Sequence, residues 1–117
     1  MSTLQVATIK SASSAAPVFK NTSGTEIGQL VFCWVSVDPS GSSSILDSFN
    51  VSSVTELDAH SWTISFANAA SNANYATAVD CTKETNNFTK THTTSNFRFD
   101  TGSDLDGEDF FVIVCGG

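Results

Sequence analysis

The acidic segment 100–109, DTGSDLDGED, holds the side chains of this sequence that are best suited to binding a metal ion. Calcium takes roughly six to eight oxygen ligands, and alternating carboxylates in a glycine-containing turn can supply several of them. The EF-hand spacing fails, because with Gly107 in its sixth place neither the first nor the twelfth place holds a carboxylate. Two interpretations stay open: a solvated turn without a cofactor, or a calcium site formed by Asp104, Asp106 and Asp109.

Groups that could carry out catalysis are few. The chain has two histidines, His60 and His92, and no GxSxG motif that would place a serine nucleophile beside either of them. Glycoside cleavage needs a pair of carboxylates, yet nothing singles out one pair among Glu56, Asp58 and Asp80. We therefore predict that the protein is not an enzyme and has no catalytic residues.

The charge balance argues against nucleic acid as a partner. The 117 residues include twelve acidic and five basic side chains, for a net charge of −7, and the basic side chains are scattered along the chain. Binding to a phosphate backbone or to an anionic lipid surface needs several lysines or arginines acting together. No run of the sequence is long and apolar enough to enter a bilayer, so membrane insertion is not expected either.

Cysteine usage favours folding in a reducing compartment. The three cysteines, Cys33, Cys81 and Cys115, are an odd number and lack the CxxC spacing of a zinc site. Two of them lie in apolar runs, where a free thiol behaves as a small hydrophobic side chain. The N-terminal residues contain no apolar stretch typical of a signal peptide, so we expect assembly in the cytoplasm.

The elements that would position these groups are predicted to be strands. Segment 61–66, SWTISF, alternates apolar and polar residues, as a strand with one buried face does. Segments 30–37 and 110–115 are apolar on both faces, which is typical of strands covered on both sides by protein. No segment shows a helical period. The prediction is an all-β fold: a single antiparallel β-sandwich or jelly-roll-like domain of about eight short strands.

The first twenty residues differ from the rest and predict an extended N-terminal arm. Leu4, Val6 and Thr8 alternate with polar or small neighbours and suggest a short strand, and SASSAAP (11–17) reads as a spacer. We therefore expect an arm over 1–20 and a sandwich domain over 21–117. The apolar residues of the arm that would attach it to a particle or to a neighbouring subunit are Leu4, Val6 and Ile9.

Three other segments give weaker patterns. Residues 45–54 have strand character, residues 56–60 are predicted to be a turn, and residues 82–95 could form either a long β-ribbon or a surface loop. The strands that are apolar on both faces predict a homo-oligomer, because one small sandwich has one interior and its remaining apolar faces would be exposed in a monomer.

Several motifs together resemble a module of phage tail-fibre and virion structural proteins, notably those of marine, cyanophage-type bacteriophages and prophages. The N-terminal run LQVATIKSASSAAPVFKNTSGTEIG is similar to the pattern LKVDTIQ…TFKNSSGTEIG of that family. SFNVSSVT (48–55) and NANYA (72–76) are its more specific motifs, and FFVIVCGG (110–117) resembles its last strand. The resemblance covers nearly the whole chain.

The resemblance implies a non-enzymatic module at the surface of a virion, commonly a trimer. The expected partners are further copies of the chain, other capsid or tail proteins and, for a module that also contacts the host, a surface glycan. Since Met1 stands just before the module, we expect a decoration, knob or detachable tip protein. The alternative is a carbohydrate-binding module without an assembly role, but Trp34, Trp62 and Tyr75 fall in predicted strands, which favours burial over sugar stacking.

Overall fold

The computed structural model describes residues 2–10, 18–28, 30–39, 44–58, 60–81, 89–101 and 109–116. The contacts divide the chain into two compact units, Met1–Leu30 and Val31–Gly117. The predicted arm, residues 1–20, lies within the first unit, and the prediction of a domain boundary at residue 20 stays a prediction. In the described ranges the secondary structure is entirely β, and no helix there is long and apolar enough to cross a membrane.

The first unit contains a small hairpin of strands β1 (Phe19–Lys20) and β2 (Glu26–Gly28). The Asn21 side chain shapes its turn, because Oδ1 accepts hydrogen bonds from the backbone N–H groups of Ser23 (3.0 Å) and Thr25 (2.9 Å). Gly24 adopts a φ of 81°, which a residue without a Cβ atom reaches at little cost.

The strand predicted from Leu4, Val6 and Thr8 is wrong, since residues 2–10 form no strand. Alternation sets the directions of side chains only if the backbone is already extended, and a strand also needs a neighbour that receives its hydrogen bonds. No strand within the described part of the chain pairs with this segment.

The second unit is an antiparallel β-sandwich of two four-stranded sheets. Sheet 1 has the order β4-β3-β10-β7 and sheet 2 has the order β5-β6-β9-β8. The bounds are β3 Val31–Asp38, β4 Ser44–Phe49, β5 Val51–Asp58, β6 Ser61–Phe66, β7 Ala76–Cys81, β8 Thr89–His92, β9 Asn96–Asp100 and β10 Phe110–Cys115. The all-β sandwich prediction is confirmed. The described residues hold ten strands in place of about eight, and eight of these build the sandwich.

The sandwich core is built from one face of each sheet. The alternation predicted for 61–66 is confirmed, because Trp62, Ile64 and Phe66 are buried and lie between the two sheets. Aromatic rings join the sheets: the Phe110 ring centroid of sheet 1 lies 5.3 Å from those of both Trp62 and Phe99 of sheet 2. Burial of each such side chain contributes roughly 1.5–3 kcal/mol to folding.

A sharp corner at Asn50 carries the chain from sheet 1 to sheet 2 and interrupts the strand pattern of 45–54. Asn50 has a φ of 56°, the left-handed conformation that asparagine tolerates better than most residues. Its Oδ1 accepts hydrogen bonds from the backbone N–H (2.8 Å) and Nδ2 (3.0 Å) of Asn68, while its Nδ2 donates to the carbonyl oxygen of Phe32 (3.2 Å). β4 and β5 therefore belong to different sheets although one residue separates them.

The other two segments differ partly from expectation. The predicted turn at 56–60 starts later, because β5 continues to Asp58, whose Oδ1 accepts the backbone N–H of His60 at 2.8 Å. Within 82–95, residues 89–92 form β8 and pair with β9, as the ribbon alternative requires, and residues 82–88 lie outside the described ranges.

Candidate functional site

The structure describes one of the three predicted calcium ligands. Asp104 and Asp106 lie outside the described residues, and Asp109 is exposed immediately before β10. Among the residues that are described, no group of three His, Cys, Asp or Glu side chains could hold a metal ion. The calcium hypothesis therefore stays a prediction.

The predicted assembly residues of the arm are all solvent-exposed. Leu4 is 81% exposed, Val6 52% and Ile9 64%. Exposed apolar side chains so close together are available for contact with another protein surface.

The residues considered for catalysis do not assemble into a site. Glu56 and Asp58 lie on β5 of sheet 2 and Asp80 lies on β7 of sheet 1, so Asp80 belongs to a different sheet from the other two carboxylates. The His92 ring packs against Tyr75, with 4.7 Å between ring centroids, and against Phe97, with 5.4 Å. This histidine fills the end of the core.

A polar cluster on sheet 2 joins Ser61, Arg98 and Asp100. The Ser61 hydroxyl donates a hydrogen bond to Asp100 Oδ1, and Arg98 Nη2 contacts the same oxygen at 2.9 Å. Hydrogen bonds from Ser61 and Arg98 lower the pKa of the Asp100 carboxyl below its usual value. The cluster stabilises the pairing of β6 with β9 and shows no further reactive group.

The three cysteines form no disulfide and differ in exposure. Cys33 is buried, Cys81 is half-buried and Cys115 is exposed. Burial raises the pKa of the Cys33 thiol to about 11, and the neighbouring Cys115 adds to the effect. Because the thiolate is the reactive form, Cys33 is inert in the folded chain.

The outward-facing surface of sheet 2 is polar. Residues paired in register on neighbouring antiparallel strands share a face. On sheet 2 the outward pairs include Thr55 with Thr63, Thr63 with Arg98 and Ser65 with Asn96. This is the composition expected of a sheet face that meets solvent.

The outward-facing surface of sheet 1 is mainly apolar. One row across its four strands consists of Phe49, Trp34, Ile113 and Ala78 in spatial order. Phe49 is 56% exposed, and Trp34 and Ile113 are half-buried. We call the following set the outer apolar face: Val31, Trp34, Phe49, Ala76, Ala78, Phe111, Ile113 and Cys115.

The outer apolar face ends in an acidic row. Two residues along from Trp34, the sheet presents Asp47, Ser36, Phe111 and Asp80 in spatial order. An open groove of about 400 Å³ lies here and is lined by Ser36, Asp80, Cys81, Asp109, Phe110 and Phe111. Neither Asp80 nor Asp109 forms an ion pair with any of the described residues. The groove thus combines a partly exposed aromatic ring with two carboxylates.

Part of this surface was visible in the sequence. The strands with two apolar faces contribute Trp34, Phe111 and Ile113, and their pattern indicated that a second face would need cover. The contribution of Phe49 and Asp47 from β4 was missed. These residues join the surface only through the register of β4 on β3, which no local pattern fixes.

Comparisons with known proteins add no relative. No protein-family model matches the sequence, and neither the curated proteins nor the solved structures contain a match.

Proposed function

We propose that this chain is a non-enzymatic structural protein of a virion surface that associates with copies of itself. The observation that carries the proposal is the outer apolar face of sheet 1. Monomeric proteins seldom expose a contiguous apolar patch of this kind, whereas surfaces that bind other proteins do. The polar outward face of sheet 2 serves as an internal comparison, because it is what the same chain presents to solvent.

The resemblance to phage tail-fibre and virion structural modules supplies the setting for this proposal. It supports a tail-fibre-tip-like module or a capsid decoration or knob protein that acts in particle assembly. The expectation of a trimer also comes from this resemblance. Capsid or tail proteins are the proposed further partners, with a host-surface glycan as a ligand of a module that also attaches to cells.

The alternative function is a carbohydrate-binding module without an assembly role. Sugar sites commonly use an exposed aromatic ring, but Trp62 and Tyr75 are 0% and 5% exposed and pack in the core. Trp34 is only half-buried and lies on the outer apolar face, so Trp34, Phe49 and Phe111 would have to take that part. Because the apolar row around them crosses all four strands of sheet 1, the face supports protein contact better than a sugar.

The mass of the protein in solution tests self-association. We expect light scattering at micromolar concentration to give an oligomer, and Ile113→Lys at the centre of the outer apolar face to shift it to the monomer. Thr63→Lys is the matched control, since it places the same charge on the central strand of the polar face and should leave the mass unchanged. A monomeric wild-type protein would contradict the proposal.

The setting needs a separate test. In a phage whose genome encodes this chain, deletion of the coding sequence should remove density from the particle surface in electron micrographs. Restored expression should return that density. Unchanged particles would remove the virion part of the proposal and leave self-association to be judged by mass.

A further inference from the structure

We propose that the outer apolar face of sheet 1 binds the first unit of a second copy of the chain. A lysine of that unit then occupies the groove that contains Asp80 and Asp109. The inference rests on the proposed self-association and names the two surfaces that meet. It makes the contact heterologous: one copy offers its first unit, and its neighbour offers sheet 1.

The first step is the shape of the charge distribution. Residues 1–30 carry Lys10 and Lys20 against a single acid, Glu26, whereas residues 31–117 carry eleven acidic and three basic side chains. The first unit of one copy therefore attracts the second unit of another copy, whereas two second units repel each other. Opposed charge favours contact between unlike units.

The second step concerns the symmetric arrangement in which two copies of sheet 1 pack face to face with their acidic rows together. The rows containing Asp47 and Asp80 would then approach each other across an apolar, poorly solvated surface. Like charges brought together in this way oppose association. A lysine from the first unit neutralises the same row.

The third step is the composition of the first unit. Seven of its apolar side chains are between 45% and 81% exposed: Leu4, Val6, Ile9, Val18, Phe19, Ile27 and Leu30. Lys10 follows Ile9 and Lys20 follows Phe19, so each lysine is next to an apolar residue along the chain. The outer apolar face has the complementary composition, because Phe111 lies between Ser36 and the acidic Asp80.

The groove suits a lysine side chain in its chemistry. Asp80 and Asp109 supply two carboxylates, and the Phe111 ring is 39% exposed beside them. An ammonium group is attracted to carboxylates and to the face of an aromatic ring. The aliphatic stem of lysine can lie along apolar surface while its charged end reaches the acids.

The size of the face also favours a head-to-tail contact. Four strands of six residues span about 19 Å by 20 Å, or roughly 400 Å² of flat surface. A stable interface buries about 800 Å² of accessible surface on each partner, so a second contact per chain adds to the area that holds the assembly together. In a closed ring of heterologous contacts each copy gives one surface and receives one, which doubles the covered area per chain.

Charge reversal in the full-length chain tests the proposal. Asp80→Lys should weaken association at least tenfold in sedimentation or light scattering, and the pair Lys10→Asp and Lys20→Asp should do the same. The chain that combines all three substitutions should recover part of the lost association, because the new lysine in the groove attracts the new carboxylates of the first unit while Asp109 keeps its charge. Circular dichroism checks that each variant is folded.

Asp58→Lys is the matched control, since it makes the same charge change at an exposed position of sheet 2. Equal loss of association in Asp58→Lys and Asp80→Lys, or no recovery in the combined variant, would overturn the inference while the wild-type oligomer upheld self-association. A monomeric wild-type chain would overturn both. An oligomer that all these variants leave intact would overturn this inference alone.

Discussion

At the scale of single residues, Trp62 is the centre of the sandwich. Its side chain is fully buried, stacks on Phe99 at 5.7 Å between ring centroids and contacts Phe110 of the opposite sheet. We expect Trp62→Ala to lower the free energy of unfolding by roughly 3–5 kcal/mol in urea denaturation, because a large cavity remains.

The matched variant is Trp62→Phe. Trp62 Nε1 is buried and has no hydrogen-bond partner among the described residues, so the smaller ring loses packing but also removes an unsatisfied donor. Its cost should be less than half that of Trp62→Ala. A loss below about 1 kcal/mol for Trp62→Ala, the size of a typical point substitution, would show that this side chain is not a core residue.

The Asp100 carboxyl makes a pH-dependent contribution to stability. Its pKa is lowered in the folded chain by hydrogen bonds from Ser61 and Arg98, so the unfolded chain binds the proton more readily. The contribution is therefore complete above the unfolded pKa of about 4 and is lost as the pH falls through the lower folded value. When the pH is lowered from 6 to 3, the urea unfolding midpoint should fall less for Asp100→Asn than for the wild type.

Asp47→Asn is the control for the loss of a carboxyl group outside the cluster. It removes an exposed acid from sheet 1, where no comparable cluster is present among the described residues. Identical pH profiles for the wild type and Asp100→Asn would contradict a role of the cluster in folding.

At the scale of elements, the corner at Asn50 determines that β4 and β5 lie in different sheets. Asn50→Gly keeps access to the left-handed backbone but loses the side-chain hydrogen bonds to Phe32 and Asn68. Asn50→Ala loses those bonds and also strains the backbone, which adds about 1–2 kcal/mol. We expect the loss of stability in urea to be larger for Asn50→Ala than for Asn50→Gly; the reverse order would show that the hydrogen bonds and backbone strain do not govern this corner.

The sequence predicted the elements better than it predicted their partners. Strict alternation in 61–66 and double apolar faces in β3 and β10 are local patterns, and both led to the correct strands. The break at Asn50 was missed because the flanking residues all favour β-structure and the corner depends on a contact with Asn68, eighteen residues away. The strand predicted at Leu4 failed for the same reason, since pairing is not a local property.

At the scale of the whole molecule, the two units should separate folding from association. Among the residues that the structure describes, all those of the buried core lie in the second unit. We expect a chain that begins near Pro17 to keep the wild-type unfolding midpoint of the sandwich but to lose oligomers in light scattering, because the exposed apolar residues Leu4, Val6 and Ile9 are gone.

Two outcomes would contradict this expectation. An unfolded truncated chain would mean that residues 1–16 complete the core of the sandwich. A folded truncated chain with the full oligomer mass would mean that association does not need residues 1–16. A variant with Leu4, Val6 and Ile9 replaced by Ser keeps the chain length and is the matched comparison.

The graded exposure of the three thiols gives the molecule a set of built-in chemical reporters. Cys115 belongs to the outer apolar face, Cys81 lines the groove and Cys33 lies inside the core. An alkylating reagent should therefore modify Cys115 at a rate that falls with protein concentration, Cys81 more slowly, and Cys33 only when the sandwich opens. A single time course followed by mass spectrometry would then report contact between copies, access to the groove and global unfolding. No substitution in the chain is needed.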